Sequence, residues 1–194
     1  MSIIEKDNFK IHYSDDFEII DIEERDINDK EKRNQYSHCM SNVDLMIKAN
    51  DKIIFIELKN FQIEDENGLE NEIKALKIEE PLNKDSIIYE LIQKGRGSFL
   101  KEYSSGYINN DIDVYYFIIF HFPFKIRNMR FKSNINKCLK TNLPIIKTDS
   151  IYKKSFIKSI LFITIDEWKE ISKNINAEKI IFEPISKSQC IPKP

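Results

Sequence analysis

The sequence predicts an α/β domain in which a central mixed β-sheet is flanked by helices. Three observations carry this. Residues 43–48, 52–61, 113–122 and 159–165 are apolar runs of strand length, rich in β-branched and aromatic residues. Segments of helical spacing lie between and after them, at 84–103 and 166–175. The chain has 194 residues, 41% hydrophobic and 32% charged, enough apolar material for one buried core without the composition of a disordered polymer.

Taken in order, "FKIHYS" and "FEIIDIEE" alternate as one or two short strands. The polar "RDINDKEKRNQYSH" follows and reads as a helix or ordered loop. "VDLMIK" and "KIIFIELKNF" flank "ANDK", where Asn50-Asp51 suits a tight reversal, so the pair reads as a β-hairpin. Residues 62–83 are strongly acidic and read as an exposed, partly helical insertion ended by Pro81. "KDSIIYELIQKGRGSFLKEY" is a helix with Asp85 or Ser86 as N-cap, weakened in its middle by Gly95 and Gly97. "DVYYFIIFHF" is a buried strand closed by Pro123. "SILFITI" is another strand, "DEWKEISKNI" a helix capped by Asp166, and "KIIFEPI" a last strand. Neither an internal repeat nor a linker interrupts the 1–194 span, which reads as one domain.

Composition narrows the function classes. No run of about 18 uncharged apolar residues exists, and "MSIIEKDNFK" lacks a basic region followed by an apolar stretch, so a cytoplasmic protein without membrane contact is expected. Cys39, Cys138 and Cys190 are odd in number and lack a CxxC pair, which argues against a disulfide framework or a zinc ribbon. Charge is uneven along the chain. Residues 1–80 hold nearly twice as many acids as bases, whereas 125–158 carry Lys125, Arg127, Arg130, Lys132, Lys137, Lys140, Lys147, Lys153, Lys154 and Lys158 against Asp149 alone. The first region suits a metal and the second a phosphate backbone, with Phe131, Tyr152 and Phe156 interleaved among the cations.

The chemistry concentrates at 42–60. An apolar strand that ends in Glu57-Leu58-Lys59 carries charges that are costly in a buried setting unless they are paired or bind a cation. Glu57 and Lys59 are two apart and share a face; Asp44 reaches the same face across the reversal if the register allows. Two carboxylates there make a hard-oxygen site for Mg²⁺, with Mn²⁺ as substitute, and the Leu58 carbonyl offers a further ligand. A lysine beside the metal orients or deprotonates an attacking water and stabilises transition-state charge.

Asp44 followed by Glu57-Leu58-Lys59 at a strand end resembles the signature of the PD-(D/E)XK nuclease superfamily, with Val43 where that signature has proline. The resemblance implies a restriction-endonuclease-like fold and a metal-dependent nuclease acting on DNA in defence, restriction or repair. By the same resemblance Asp44 and Glu57 are metal ligands and Lys59 is the catalytic lysine. It also implies a further acid from an early helix, for which Glu18, Glu23, Glu24 and Glu31 are candidates that the sequence does not rank. Gln93 resembles a glutamine on the helix after the lysine strand, and Lys94 and Arg96 are placed to hold a backbone phosphate. Homodimerisation would let one site per chain cut two strands.

Other readings compete. Glu57 and Lys59 can form a solvated ion pair of little energetic worth. The fold can serve as a binding or regulatory subunit of a larger complex, without chemistry. Alternatively the chain is an unrelated α/β partner-binding protein using its acidic stretch, in which case Asp44 and Glu57 lie apart. His38 beside Cys39, and the isolated His12 and His121, read as structural rather than catalytic.

Overall fold

The computed structural model describes residues 1–22, 41–49, 51–61, 66–109, 111–122, 130–143 and 156–185. Two sheets form. β1 (Ser2–Lys6) and β2 (Phe9–Tyr13) make a hairpin through Asp7-Asn8, both at positive φ (50° and 60°), the two-residue turn whose twist matches the strands. The last strand, β8 (Ile181–Pro184), joins β2 antiparallel. "KIIFEPI" is therefore a strand, but of this small sheet and not of the central one.

The larger sheet is mixed and runs β3 (Glu18–Asp21), β4 (Leu45–Ala49), β5 (Lys52–Asn60), β6 (Asp113–His121), β7 (Ser159–Thr164). β3, β4 and β5 are antiparallel neighbours, while β6 and β7 continue parallel to β5. β5 and β6 are buried along most of their length, which is why they read as continuous apolar runs. The sheet bears out the α/β expectation.

Between β5 and β6 lie α1 (Glu66–Ala75) and α2 (Ile87–Ser104). The acidic insertion is partly helical as expected. It is not simply exposed, because Ile73, Leu76 and Ile78 pack on the core. Its helix stops at Ala75, well before Pro81, and the chain turns through Lys77 at φ 46°. α2 is continuous through both glycines, and its N-cap is Ser86, whose hydroxyl accepts from Ile88 N–H. Gly95 has a packing reason: a Cβ there would stand 2.7 Å from Tyr116 Cε1 on β6. The helix lies too close to the sheet for a side chain.

α3 (Arg130–Asn142) precedes β7, and α4 (Ile165–Asn174) follows it. The N-cap of α4 is Thr164, not Asp166: Thr164 and Glu167 form a reciprocal capping box, leaving Asp166 in the first turn. Asn136 of α3 clamps the edge strand, its amide bonding Phe162 C=O at 3.0 Å and Phe162 N–H at 2.7 Å. Among the described residues no helix is long and apolar enough to cross a membrane.

The sheet separates two cores. One, under α2 and α3, gathers Met46, Ile53, Phe55, Tyr116, Phe120 and Phe162. The other gathers Leu45, Ile47, Ile54, Ile56, Leu58, Phe117 and Trp168 against Phe9 and Ile11 of the small sheet. Alternation along β5 thus sends odd positions toward α2 and even positions toward the small sheet.

Candidate functional site

Register decides whether the charges of 44–59 meet. Leu45 pairs with Ile56, so Asp44, immediately before β4, falls opposite Glu57. Parity puts Asp44, Glu57 and Lys59 all on the α2 side, at the carboxyl end of β5. The same-face expectation holds: the two acids do not lie apart.

Three contacts fix α2 over this corner. Ser98 Oγ accepts from Val43 N–H at 2.9 Å, next to Asp44. Tyr116 donates its hydroxyl to Leu91 C=O at 3.1 Å. Gly95 lies against the Tyr116 ring. With the helix so held, Glu90 and Lys94, one turn apart, overhang the strand end.

The side chains form one ionic cluster. Lys94 Nζ lies 2.6 Å from Glu57 Oε1 and 3.5 Å from Asp44 Oδ1. Lys59 Nζ lies 3.0 Å from the same Glu57 oxygen and 2.9 Å from Glu90 Oε1. Asp44 Oδ2 accepts from Leu58 N–H at 2.6 Å, taking the place of a ladder bond where β4 begins. Glu57 is fully buried, and its other oxygen, Oε2, has no hydrogen-bond partner. A buried carboxylate oxygen without a donor is costly, so it marks a position that suits a cation.

Burial, then the charge of Glu57, push the Asp44 carboxyl up to about 7, so it holds a proton in mildly acid solution. Asp7, from the β1–β2 turn, adds to that rise. The turn is held to the strand end by Asn60 Nδ2 donating to Asn8 C=O at 2.9 Å and by Lys6–Asp21 at 3.0 Å. For both lysines burial opposes the charge, but Glu57, with Glu90 for Lys59 and Asp44 for Lys94, outweighs it and holds each ammonium above its usual pKa. Lys59 is accordingly a firm cation in this state.

The remaining expected residues scatter. Glu18 is not part of the site: it pairs with Lys48, three residues down β3 from the Asp21 end that neighbours Leu45, and its side chain is 63% exposed. Glu23, Glu24, Glu31, His38, Cys39, Asn50 and Arg127 lie outside the described residues. Lys94 meets carboxylates in place of the phosphate expected for it. Arg96, two positions on and so about 200° around the helix, donates to Asn142 C=O at 2.7 Å, closing the C-terminus of α3. Gln93 is half-buried on α2. Arg130 is exposed at the start of α3, Lys132 pairs with the capping Glu167, and Phe131 is core and so closed to base stacking. Lys137 and Lys140 line a shallow groove on α3 with Ser133, Asn136 and Thr141. His12 pairs with Glu183 at 3.2 Å.

Sequence reading missed Glu90 and Asp7. Glu90 carried a usable signal, since it stands four before Lys94 on a helix and must share its face. Asp7 carried none, because its approach depends on how the two sheets dock.

No protein-family model matches the chain, and no curated protein or solved structure matches it.

Proposed function

We propose that this chain is a metal-dependent nuclease, of the PD-(D/E)XK kind, that hydrolyses DNA phosphodiester bonds by water attack. The observation that carries the reading is Glu57: a fully buried carboxylate with one oxygen unpartnered, beside Asp44 and Lys59 at the end of one strand. Asp44, Glu57 and the Leu58 carbonyl supply the all-oxygen donor set that Mg²⁺ or Mn²⁺ takes, with water and phosphate completing the shell. When bound, the metal supplies Lewis-acid polarisation of the phosphate and a more acidic water.

The chain's own residues do the rest. Lys59, pinned by Glu57 and Glu90, presents its ammonium at the strand end, where it orients the nucleophile and meets the charge that develops on the phosphate. Leu58 N–H holds Asp44 in place. Lys137 and Lys140 on the α3 groove supply backbone contact, and their contribution fades with salt.

A second reading keeps the fold without chemistry, as a binding or regulatory subunit. Lys94 favours it, because an ammonium shared by Asp44 and Glu57 neutralises the pair with no metal. Supercoiled plasmid, linear duplex and single-stranded DNA incubated with wild type and Lys59→Ala in Mg²⁺, Mn²⁺ or EDTA separate the two. Metal-dependent cutting lost in the variant supports the nuclease. Absence of cutting by wild type in every condition supports the subunit.

A further inference from the structure

Lys94 stands where a metal shared by Asp44 and Glu57 would stand, and it has an alternative partner already within reach. Its Nζ is 2.6 Å from Glu57, 3.5 Å from Asp44 and 3.7 Å from Glu90 Oε1. The first two partners are buried; Glu90 is 45% exposed and belongs to the same helix one turn back. Rotation about the terminal side-chain torsions carries the ammonium from the carboxylate pair to Glu90 while α2 stays fixed by Ser98, Gly95 and Tyr116.

We infer that Lys94 is a built-in competitor for the metal: it holds the cation position between Asp44 and Glu57 and yields it by moving onto Glu90. This rests on the nuclease reading and adds a control on it. A divalent ion on the unpartnered Oε2 of Glu57 would stand a few ångströms from an ammonium held 2.6 Å from Oε1 of the same carboxylate, at a separation where like charges repel strongly, so metal binds the fraction of molecules with Lys94 withdrawn. Apparent metal affinity is therefore the intrinsic affinity reduced by that fraction. Glu90 sets the fraction, because it supplies the ammonium's alternative partner. The device keeps the site neutralised and ordered when metal is scarce, and loading becomes a switch between two ion-pair arrangements.

Titration calorimetry with Mn²⁺ tests this on the full chain, for wild type, Lys94→Met, Glu90→Gln, the double variant and Glu57→Gln, each checked for folding by circular dichroism. Lys94→Met should bind roughly tenfold tighter than wild type, the size of a ninety-per-cent-occupied competitor removed. Glu90→Gln should bind more weakly than wild type, and that loss should vanish in the double variant. A plain charge effect would make the two changes additive, and additivity overturns the exchange. Equal affinities in wild type and Lys94→Met, with binding lost in Glu57→Gln, also overturn it while leaving the nuclease reading standing. Binding by none of the proteins removes both. Should Lys94→Met fail to fold, Lys94→Gln keeps a donor for Glu57 without the charge, and the same comparisons apply.

Discussion

β5 shows two kinds of burial on its two faces. Its even positions, Ile54, Ile56 and Leu58, run into a wholly apolar layer with Phe9, Phe117 and Trp168, where the one indole N–H is satisfied by Ile180 C=O at 2.8 Å. Its odd positions begin the same way with Ile53 and Phe55, then change to Glu57 and Lys59 under Glu90 and Lys94. Glu57 is as buried as the even positions, yet only the odd face contains charges that must neutralise each other, and it opens to solvent at Lys59 and Glu90. The difference separates what holds the sheet together from what the sheet holds in place: the even face can lose function-bearing groups at no cost because it has none, and the odd face gives up apolar area to keep them.

The comparison is broken most sharply by one atom on each side. Glu57→Gln removes the charge and keeps the shape, so cleavage per folded molecule should fall about a thousandfold, the several kcal/mol that a misplaced metal forfeits, with circular dichroism near wild type and a lowered melting temperature because Lys59 and Lys94 lose their counter-charge. Plasmid cleavage within tenfold of wild type would remove Glu57 from the chemistry. Trp168→Ala should do the reverse. The indole is buried, packed edge-on against Phe117 and Phe182, and its loss should cost about 3–5 kcal/mol in urea unfolding, with cleavage per folded molecule unchanged. A cost under about 1 kcal/mol would mean that the small sheet is not docked on this face.

Proton linkage gives a gentler test of the charged face. The Asp44 carboxyl is raised from 3.8 to about 7 by burial and by Glu57, so the folded state holds its proton more tightly than the unfolded chain. Stability from this group is thus complete below about pH 4, is lost as pH rises toward 7, and changes little above. Asp44→Asn has no such titration and still offers Leu58 N–H an acceptor. In EDTA, the stability of wild type relative to Asp44→Asn should decline by a few kcal/mol, order of magnitude, between about pH 4 and 7. A flat difference would mean that Asp44 is solvated and that the corner is open.

Much of this arrangement was legible in the sequence because it is local. The hairpin, its alternation and the carboxylates on one side follow from period-two patterning within twenty residues, and the structure agrees at Asp44, Glu57 and Lys59. The sequence offers Lys94 to a phosphate, and the structure has it on Glu57, since nothing in "ELIQKG" says that an ammonium on that face meets a carboxylate of the strand beneath the helix. Thr164 was passed over as a cap because it reads equally well as the last residue of a β-branched strand. The sheet that β8 joins is not legible for a related reason: a short apolar run fixes the strand state, while its neighbour is chosen by contacts some 170 residues away, such as Ile181 with His12.

Gly95 ties the packing of the helix to the geometry of the site, and its substitution should have the smallest effect of these. In an exposed helix Gly→Ala gains about 1 kcal/mol of propensity. Here the new Cβ would lie 2.7 Å from Tyr116, a ring that is fully buried and anchored through its hydroxyl to Leu91, so the ring cannot retreat and α2 must lift. The clash outweighs the propensity, and Gly95→Ala should be destabilised by about 1–3 kcal/mol. Lifting α2 also draws Lys94 away from Glu57, so the variant's affinity for Mn²⁺ should change along with its stability. If Gly95→Ala is more stable than wild type, α2 does not sit this close to β6, and the placement of Glu90 and Lys94 over the strand end falls with it.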